Sequence, residues 1–340
     1  MKLAMLKNPV FPQDPPERQI SCLGMNTGNL VFWESLIRLF NPDLIPYYQS
    51  EKLDKYDCVI ITDLIWIRPG SDYSYLEKLV DTYPIPFVPM SIGLQNSHFD
   101  PHFKLDEGTV RLLKKLEERA VLGVRGHYTA DVLAKHGIKN IQVIGCPSMY
   151  YWNNPQLQVV DKDSIERVSA NFKTFFGVLS KKEKRFLSYC AQRNMQFIEQ
   201  TQLAFKPEMV DNDMTYYRFV DEWLQDKMEL YCTYKDWQYA LRPMDFSIGG
   251  RFHGNVLALQ SGVKSLFLTS DSRTQELTEY FALPTMTMEK FDSNRPIEYY
   301  YDRADYSAFN AKYPYVFERF VQFANANKLP FTNATPLSFK

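Results

Sequence analysis

Asp245-Phe246-Ser247-Ile248-Gly249-Gly250-Arg251-Phe252-His253-Gly254-Asn255 is the most informative stretch of the chain. Phe246-Ser247-Ile248 reads as a short buried strand, two glycines follow, and Asn255 to Gln260 reads as a helix; this strand-loop-helix order belongs to a parallel α/β sheet. In such sheets ligands sit beyond the carboxyl ends of the strands, where backbone N–H groups at the helix start point outward. Gly249, Gly250 and Gly254 remove bulk around Arg251 and His253 and let backbone approach a ligand. If the stretch is still extended there, residues 251 and 253 point to one side, so both side chains are expected to meet one ligand. The positive end of the helix starting near Asn255 would face the same spot. An arginine, a histidine and a helix start together specify an anion with proton chemistry beside it. The same glycines serve packing alone in many α/β proteins, and that alternative stays open at this point.

Outward from this stretch, short β-branched runs alternate with segments of helical period. Asp57 to Thr62, Pro86 to Ile92, Ala120 to Val124 and Ile141 to Ile144 read as strands, with Gly28 to Phe40, Asp106 to Arg119 and Thr129 to His136 as helices. Thr129 is expected to cap the third helix and Gly137 to end it. Periodicity lapses after Asn153-Asn154-Pro155, and a second series follows: strands at 166–172, 195–200, 246–248 and 263–268, and helices at 181–194, 234–241, 255–260 and 273–281. The last helix is expected over Pro314 to Asn325. These patterns predict two domains, 1–155 and 156–340, with the C-terminal helix free to pack back on the first.

The 340-residue length supports two domains, because a single core rarely grows beyond about 250 residues. With 39 basic against 40 acidic residues, no global field exists to hold a nucleic acid or an anionic membrane, so an anion must be met locally. The opening Met1 to Leu6 lacks the apolar stretch of roughly 7–15 residues of a signal peptide. The most apolar segment, Val59 to Ile67, is broken by Asp63 and falls short of the ~20 residues that span a bilayer. The five cysteines form no C-x-x-C pair, so free thiols are expected rather than a zinc clip or a disulfide framework. No metal site is expected.

A second loop with an arginine at a strand exit is Val124-Arg125-Gly126-His127. There Arg125 either faces a ligand or pairs with a nearby carboxylate such as Asp131. Together, the stretch from Asp245 through Asn255, continuing to Ala258, Gly262 and Leu268, resembles the arginine-apolar-histidine signature of polysaccharide pyruvyl transferases. Val124 to Leu133 is similar to that family's arginine loop, and Gly24 to Leu36, with Asn26, Gly28 and Asn29, is similar to its opening loop and helix. The matches span roughly residues 20–285 in the family's order. Departures are Gly126 where members often carry an acid, Thr129 where they often carry serine, and Gly145-Cys146-Pro147-Ser148 in place of a common Asp-Pro pair.

The resemblance implies two Rossmann-like domains facing a cleft, similar to B-type glycosyltransferases. It also implies phosphoenolpyruvate as co-substrate, with no cofactor, and a pyruvate ketal formed on a sugar of a cell-surface polysaccharide, such as a capsule or exopolysaccharide, or on its lipid-linked precursor. The reaction would be cytoplasmic, with at most peripheral association at the inner face of the membrane. Arg125 and Arg251 would each hold one of the donor's two anionic groups, since arginine binds carboxylate and phosphate bidentately and lysine cannot. His253 would move protons, because imidazole titrates near neutrality, or else grip phosphate as an imidazolium. Asn26, Asn29, Trp66, Gln95 and Asn96 are placed to meet the sugar acceptor. The competing readings are a nucleotide-sugar glycosyltransferase of the same architecture and a non-catalytic subunit of polysaccharide assembly.

Overall fold

The computed structural model describes residues 1–172, 177–201, 205–332 and 334–339. Apolar runs such as Leu3-Ala4-Met5-Leu6 and Cys58-Val59-Ile60-Ile61 are buried at every position, as strands covered by helices on both faces must be. The first sheet contains β1 (Leu3–Leu6), β2 (Asp43–Ile45), β3 (Cys58–Ile61) and β4 (Phe87–Pro89) in the parallel order β2-β1-β3-β4. A further parallel pair, β5 (Leu122–Val124) and β6 (Ile141–Val143), continues it through a bridge between Ile92 and Val124. The helices of this half are α1 (Pro16–Cys22), α2 (Asn29–Phe40), α3 (Ser74–Thr82), α4 (Glu107–Glu117) and α5 (His127–Lys135).

The second sheet holds β7 (Val168–Asn171), β8 (Gln196–Glu199), β9 (Met228–Leu230), β10 (Phe246–Gly249), β11 (Lys264–Thr269) and β12 (Thr285–Thr287), all parallel, in the order β12-β11-β10-β7-β8-β9. The chain runs outward one way from β7, restarts at β10 and runs outward the other way. This reversal leaves a crevice at the carboxyl ends of β7 and β10, the usual ligand position in open α/β sheets. The first sheet has a matching reversal between β1 and β3. Helices α6 (Lys181–Gln192), α7 (Met214–Lys227), α8 (Tyr234–Leu241), α9 (Phe252–Gln260), α10 (Ser272–Phe281), α11 (Ile297–Arg303) and α12 (Ser307–Ala326) complete the chain. The architecture is therefore two Rossmann-like α/β units; we propose to divide them near residue 155, between β6 and β7.

Helix α12 follows the second sheet in sequence but lies against the first half. Phe320 stacks on Tyr150 at 4.1 Å between ring centres and meets Phe40 at 6.0 Å, while the Asn327 side chain both accepts from Val121 N and donates to Val121 O. The tail beyond it stays on the same side, with Thr332 N donating to Leu39 O and Leu337 N to Trp152 O.

Three helix starts differ from the sequence reading. Helix α9 begins at Phe252, not Asn255, and α5 at His127, not Thr129. Helix α12 begins at Ser307 and keeps Pro314 inside it, although an internal proline loses a backbone bond and crowds the preceding turn. Burial explains the last case: Phe309, Tyr313, Val316, Phe317 and Phe320 form a continuous buried stripe on both sides of the proline, and packing of that stripe outweighs the local cost. Phe320→Ala should accordingly destabilise the protein by about 3–5 kcal/mol, seen as a lower urea midpoint. An unchanged midpoint would mean that α12 is not structural glue for the first half.

Candidate functional site

A cleft of about 560 Å³ opens at the carboxyl ends of both sheets. Asn26, Asn29, Trp66, Gln95, Asn96 and Arg125 line it from the first half, and Arg251 and His253 from the second. All eight residues singled out in the sequence thus share one cavity.

Arg251 is the residue before α9 and keeps an extended conformation there, so its side chain leaves the strand end toward the cleft while His253 already belongs to the first helical turn. The alternation expected of an extended stretch does not operate at these residues; the tight turn from β10 into α9 brings them together instead. The turn is pinned by asparagines. Asn171, at the end of β7, accepts from Arg251 N at 2.9 Å and donates to Asn255 Oδ1 at 2.8 Å, and Asn255 donates to Gly249 O at 2.8 Å. A Cβ at Gly249 would sit 1.9 Å from Asn171 O, and one at Gly254 would sit 2.6 Å from Gln200 Nε2. Gly249 makes room for the neighbouring strand's backbone and Gly254 for the Gln200 side chain, both of them parts of the protein itself.

The Arg251 guanidinium donates through Nη2 to Glu199 Oε1 at 3.1 Å and to Thr201 Oγ1 at 3.3 Å. Glu199 is fully buried and also accepts from Gln200 N, Thr201 N and Thr201 Oγ1, so its charge is spread over several donors. Arg125 is held differently. Its Nη2 donates to Ile65 O at 2.5 Å, while Nε and Nη1 have no hydrogen-bond partner. Its guanidinium lies against Gly93, where a Cβ would stand 2.6 Å from Arg125 Cζ. Burial, reinforced by Arg273, pushes the Arg125 guanidinium down to about 10. The carboxylates acting on it are Glu276 and Asp271, not Asp131, which is exposed on α5.

Arg273 was overlooked in the sequence although it obeys the same rule as Arg125 and Arg251. It follows the end of β11 within Ser270-Asp271-Ser272-Arg273 and lines the same cleft. Its field reaches Arg125, Arg251 and His253. Three arginines thus converge on one cleft from three strand exits, with Arg125 itself buried. A site of this kind favours an anion with more than one charged group.

His253 stands against Phe32 at 5.4 Å between ring centres, and its Nε2 lies 3.4 Å from Cys146 Sγ. Ser148 Oγ in turn donates to Cys146 Sγ at 3.1 Å. Burial first, then Arg125 and Arg273, depress the imidazole from 6.5 to about 3. The expectation of titration near neutrality is corrected for the ligand-free protein: neighbouring cations and loss of water keep the ring neutral. The Cys146 thiol, pushed up by burial, is neutral as well. Nothing in the spacing of Cys146 from His253 along the chain could have revealed this pair.

Thr129 does not cap α5. It lies inside the helix, and its N–H and hydroxyl both donate to Glu276, at 2.7 and 2.8 Å. The carboxylate comes from α10 of the other half and supplies negative charge at the start of α5, where the helix dipole favours it. Gly126 is required here, because a Cβ would fall 2.2 Å from Glu276 Cγ. A second link between the halves joins Asn96 and Ser272, where Asn96 N donates to Ser272 Oγ at 3.2 Å and Ser272 Oγ to Asn96 O at 2.9 Å. Of the other residues expected to meet an acceptor, Asn26 accepts from Gly28 N at 2.9 Å and Asn29 donates to Leu23 O at 2.8 Å; both shape the loop before α2 while facing the cleft. Trp66 is more than one third exposed.

A model of the polysaccharide pyruvyl transferase family matches residues 26–272, a span that includes all eight of these residues. A search of curated proteins finds no match. Among solved structures, a candidate UDP-N-acetylglucosamine 2-epimerase from Listeria monocytogenes is 10% identical with a TM-score of 0.50, over 100% of this chain and 99% of that one. The UDP-GlcNAc 2-epimerase of Methanocaldococcus jannaschii, in complex with UDP-GlcNAc and UDP, is 12% identical with a TM-score of 0.48, over 96% and 99% of the two chains. The lipopolysaccharide outer core galactosyltransferase WaaB is 12% identical with a TM-score of 0.45, over 97% and 99%. At 10% identity the likeness to the Listeria monocytogenes protein concerns the fold alone, two Rossmann-like domains.

The depressed imidazole yields a direct expectation. Unfolded, the ring takes a proton near 6.5, and folded only near 3, so this group's contribution to stability is complete above the higher value and is lost as pH falls through that window. In a nitrogen-resolved NMR titration from about pH 8 to 5, the His253 ring should remain neutral. Addition of inorganic phosphate should raise its proton affinity by offsetting the arginines. Ordinary titration near 6.5 without phosphate would show that the arginine field does not reach it.

Proposed function

The chain belongs to the polysaccharide pyruvyl transferase family, and from that premise we propose that it transfers the pyruvyl group of phosphoenolpyruvate onto two hydroxyls of a sugar in a cell-surface polysaccharide or its lipid-linked precursor. The observation that carries this reading is the convergence of Arg125, Arg251 and Arg273 on a cleft that also holds a neutral, half-buried His253. Phosphoenolpyruvate presents a carboxylate and a phosphate on one small rigid frame, and planar guanidinium forks suit both groups. Arg125 comes from the first half and Arg251 and Arg273 from the second, so one donor molecule would be gripped from both sides.

The chemistry needs a proton on the methylene carbon, which turns the enol carbon into an electrophile, and removal of a proton from each attacking hydroxyl. His253 starts neutral and therefore able to accept. Once the donor's negative charges offset Arg125 and Arg273, its proton affinity rises, and the proton taken from the first hydroxyl can pass to the methylene carbon. Attack by that oxygen on the enol carbon gives a tetrahedral centre that still carries phosphate. The second hydroxyl then displaces phosphate, which carries away the second proton. Both hydroxyl protons are accounted for, and the products are a methyl-bearing ketal and inorganic phosphate. No cofactor enters this scheme. No helix among the described residues is long and apolar enough to cross a membrane, and we place the reaction on the cytoplasmic side, at most at the membrane's inner face.

Phosphate release from phosphoenolpyruvate should require a sugar acceptor. Arg251→Lys keeps a charge beside Glu199 but loses the fork, and should weaken the donor step by about 2–4 kcal/mol. His253→Gln should leave donor affinity, read by calorimetry, within about tenfold while saturated turnover falls by roughly 10²–10⁴. Intact turnover with collapsed donor affinity would instead assign His253 to phosphate binding alone.

A further inference from the structure

A second recess of about 350 Å³ lies beside the arginine cleft, and Asn29 and Trp66 line both. It sits where β1 and β3 end, the reversal point of the first sheet, with Asn8 after β1 and Asp63 after β3 on its walls. An open α/β sheet places ligands at this kind of position, yet the arginine-lined cleft leaves it unused. We propose that this recess is the acceptor subsite and takes one pyranose ring of an uncharged sugar. The proposal rests on the pyruvyl-transfer reading for the role of the sugar, but not for the binding of it.

The walls carry the argument. Tyr47, Trp66, Tyr73 and Tyr75 line the recess, and rings of this kind combine broad apolar faces with polar tips. A pyranose offers complementary surfaces, with C–H groups on its faces and hydroxyls around its edge. Trp66 and Tyr75 keep 36% and 47% of their surface exposed, so their ring faces are open to a ligand on the wall of the recess. Tyr75 is nevertheless fixed, because its hydroxyl donates to Tyr47 O at 2.9 Å.

Asp63 supplies the polar anchor. Its Oδ1 accepts the Tyr47 hydroxyl at 2.7 Å, whereas Oδ2 is buried with no hydrogen bond of good geometry, although the backbone N–H groups of Thr62 and Asp63 also favour the ionised carboxyl. An unpaired buried carboxylate oxygen is costly, and a donor hydroxyl from a ligand would satisfy it. Burial holds the Asp63 carboxyl above its ordinary range, and a ligand hydroxyl donating to Oδ2 would favour the ionised, acceptor form, whereas an anion could offer no such proton. The two neighbouring cavities are therefore opposite in preference: arginines for the charged donor, a carboxylate among aromatic rings for the neutral acceptor. Trp66, shared by both, would hold the sugar edge facing the donor.

Saturation-transfer NMR with methyl galactoside, methyl glucoside and methyl N-acetylglucosaminide, without phosphoenolpyruvate, tests the assignment. At least one glycoside should bind the unaltered protein, and its affinity should fall tenfold or more in Asp63→Asn, whose amide oxygen can still accept from Tyr47. Tyr75→Ala, a change at an exposed ring, should give a similar loss with an unchanged melting temperature, and Arg251→Lys should bind within about twofold of the parent. Absence of glycoside binding, or binding that survives both recess variants, would overturn the proposal, as would a loss seen only with Arg251→Lys. If glycoside binding follows the recess variants but no phosphate is released from phosphoenolpyruvate, the pyruvyl-transfer reading falls and the sugar site stands.

Discussion

The guanidinium of Arg125, buried with two of its nitrogens unpaired and with Arg273 acting on it, is the constraint around which the rest of the site is arranged. A buried charge without a full partner is costly, and its proper complement is a further charge brought in by a ligand. The surrounding carboxylates are otherwise engaged. Glu199 is divided between Arg251 and the donors of residues 200 and 201, and Glu276 is bonded to Thr129. Asp271 in turn faces Arg273 at 3.7 Å, which leaves the two unpaired nitrogens of Arg125 without a carboxylate of their own, and burial first, with the Arg125 and Arg273 charges behind it, keeps His253 neutral.

The same groups hold the two sheets together. Glu276 crosses from α10 to the start of α5, next to the loop that carries Arg125, and Ser272 crosses to Asn96 at the rim. Anion binding and the juxtaposition of the halves are consequently one problem: a ligand that pulls Arg125 and Arg273 together works through segments already linked. Helix α12 and the tail, lying on the first half after the chain has completed the second, close the unit from the other side. Activity that depends on a partly uncompensated cluster is held at the expense of stability, as is common in functional sites.

Arg125, Arg251 and His253 were legible because strand exits announce themselves locally, through a short apolar run followed by glycine and a charged residue. Arg273 satisfies the same rule, but it opens the stretch 273–281 that reads as a helix, and Asp271 just before it caps that helix by accepting from Thr274 N. Helix starts were misplaced by two or three residues where the stabilising partner is remote in sequence. Glu276 replaces the local cap of α5, and the asparagines at 171 and 255 set the turn before α9. Pro314 misled for the opposite reason, since a local rule about proline was overridden by a buried aromatic stripe. The Cys146–His253 contact and the buried Asp63 carboxylate have no periodic signature, because side chains from separate strand ends meet only once the sheets are formed.

The central claim, that phosphoenolpyruvate gives up its pyruvyl carbon skeleton to a sugar, is tested most directly by following the oxygen that bridges the enol carbon and phosphorus. In a ketal both oxygens on that carbon come from the sugar, so the bridging oxygen must depart with phosphate. With a heavy-oxygen label at the bridge and a sugar acceptor present, mass spectrometry should find the label in the released inorganic phosphate and none in any pyruvate. Label retained in pyruvate would mean cleavage between oxygen and phosphorus, and would contradict the account.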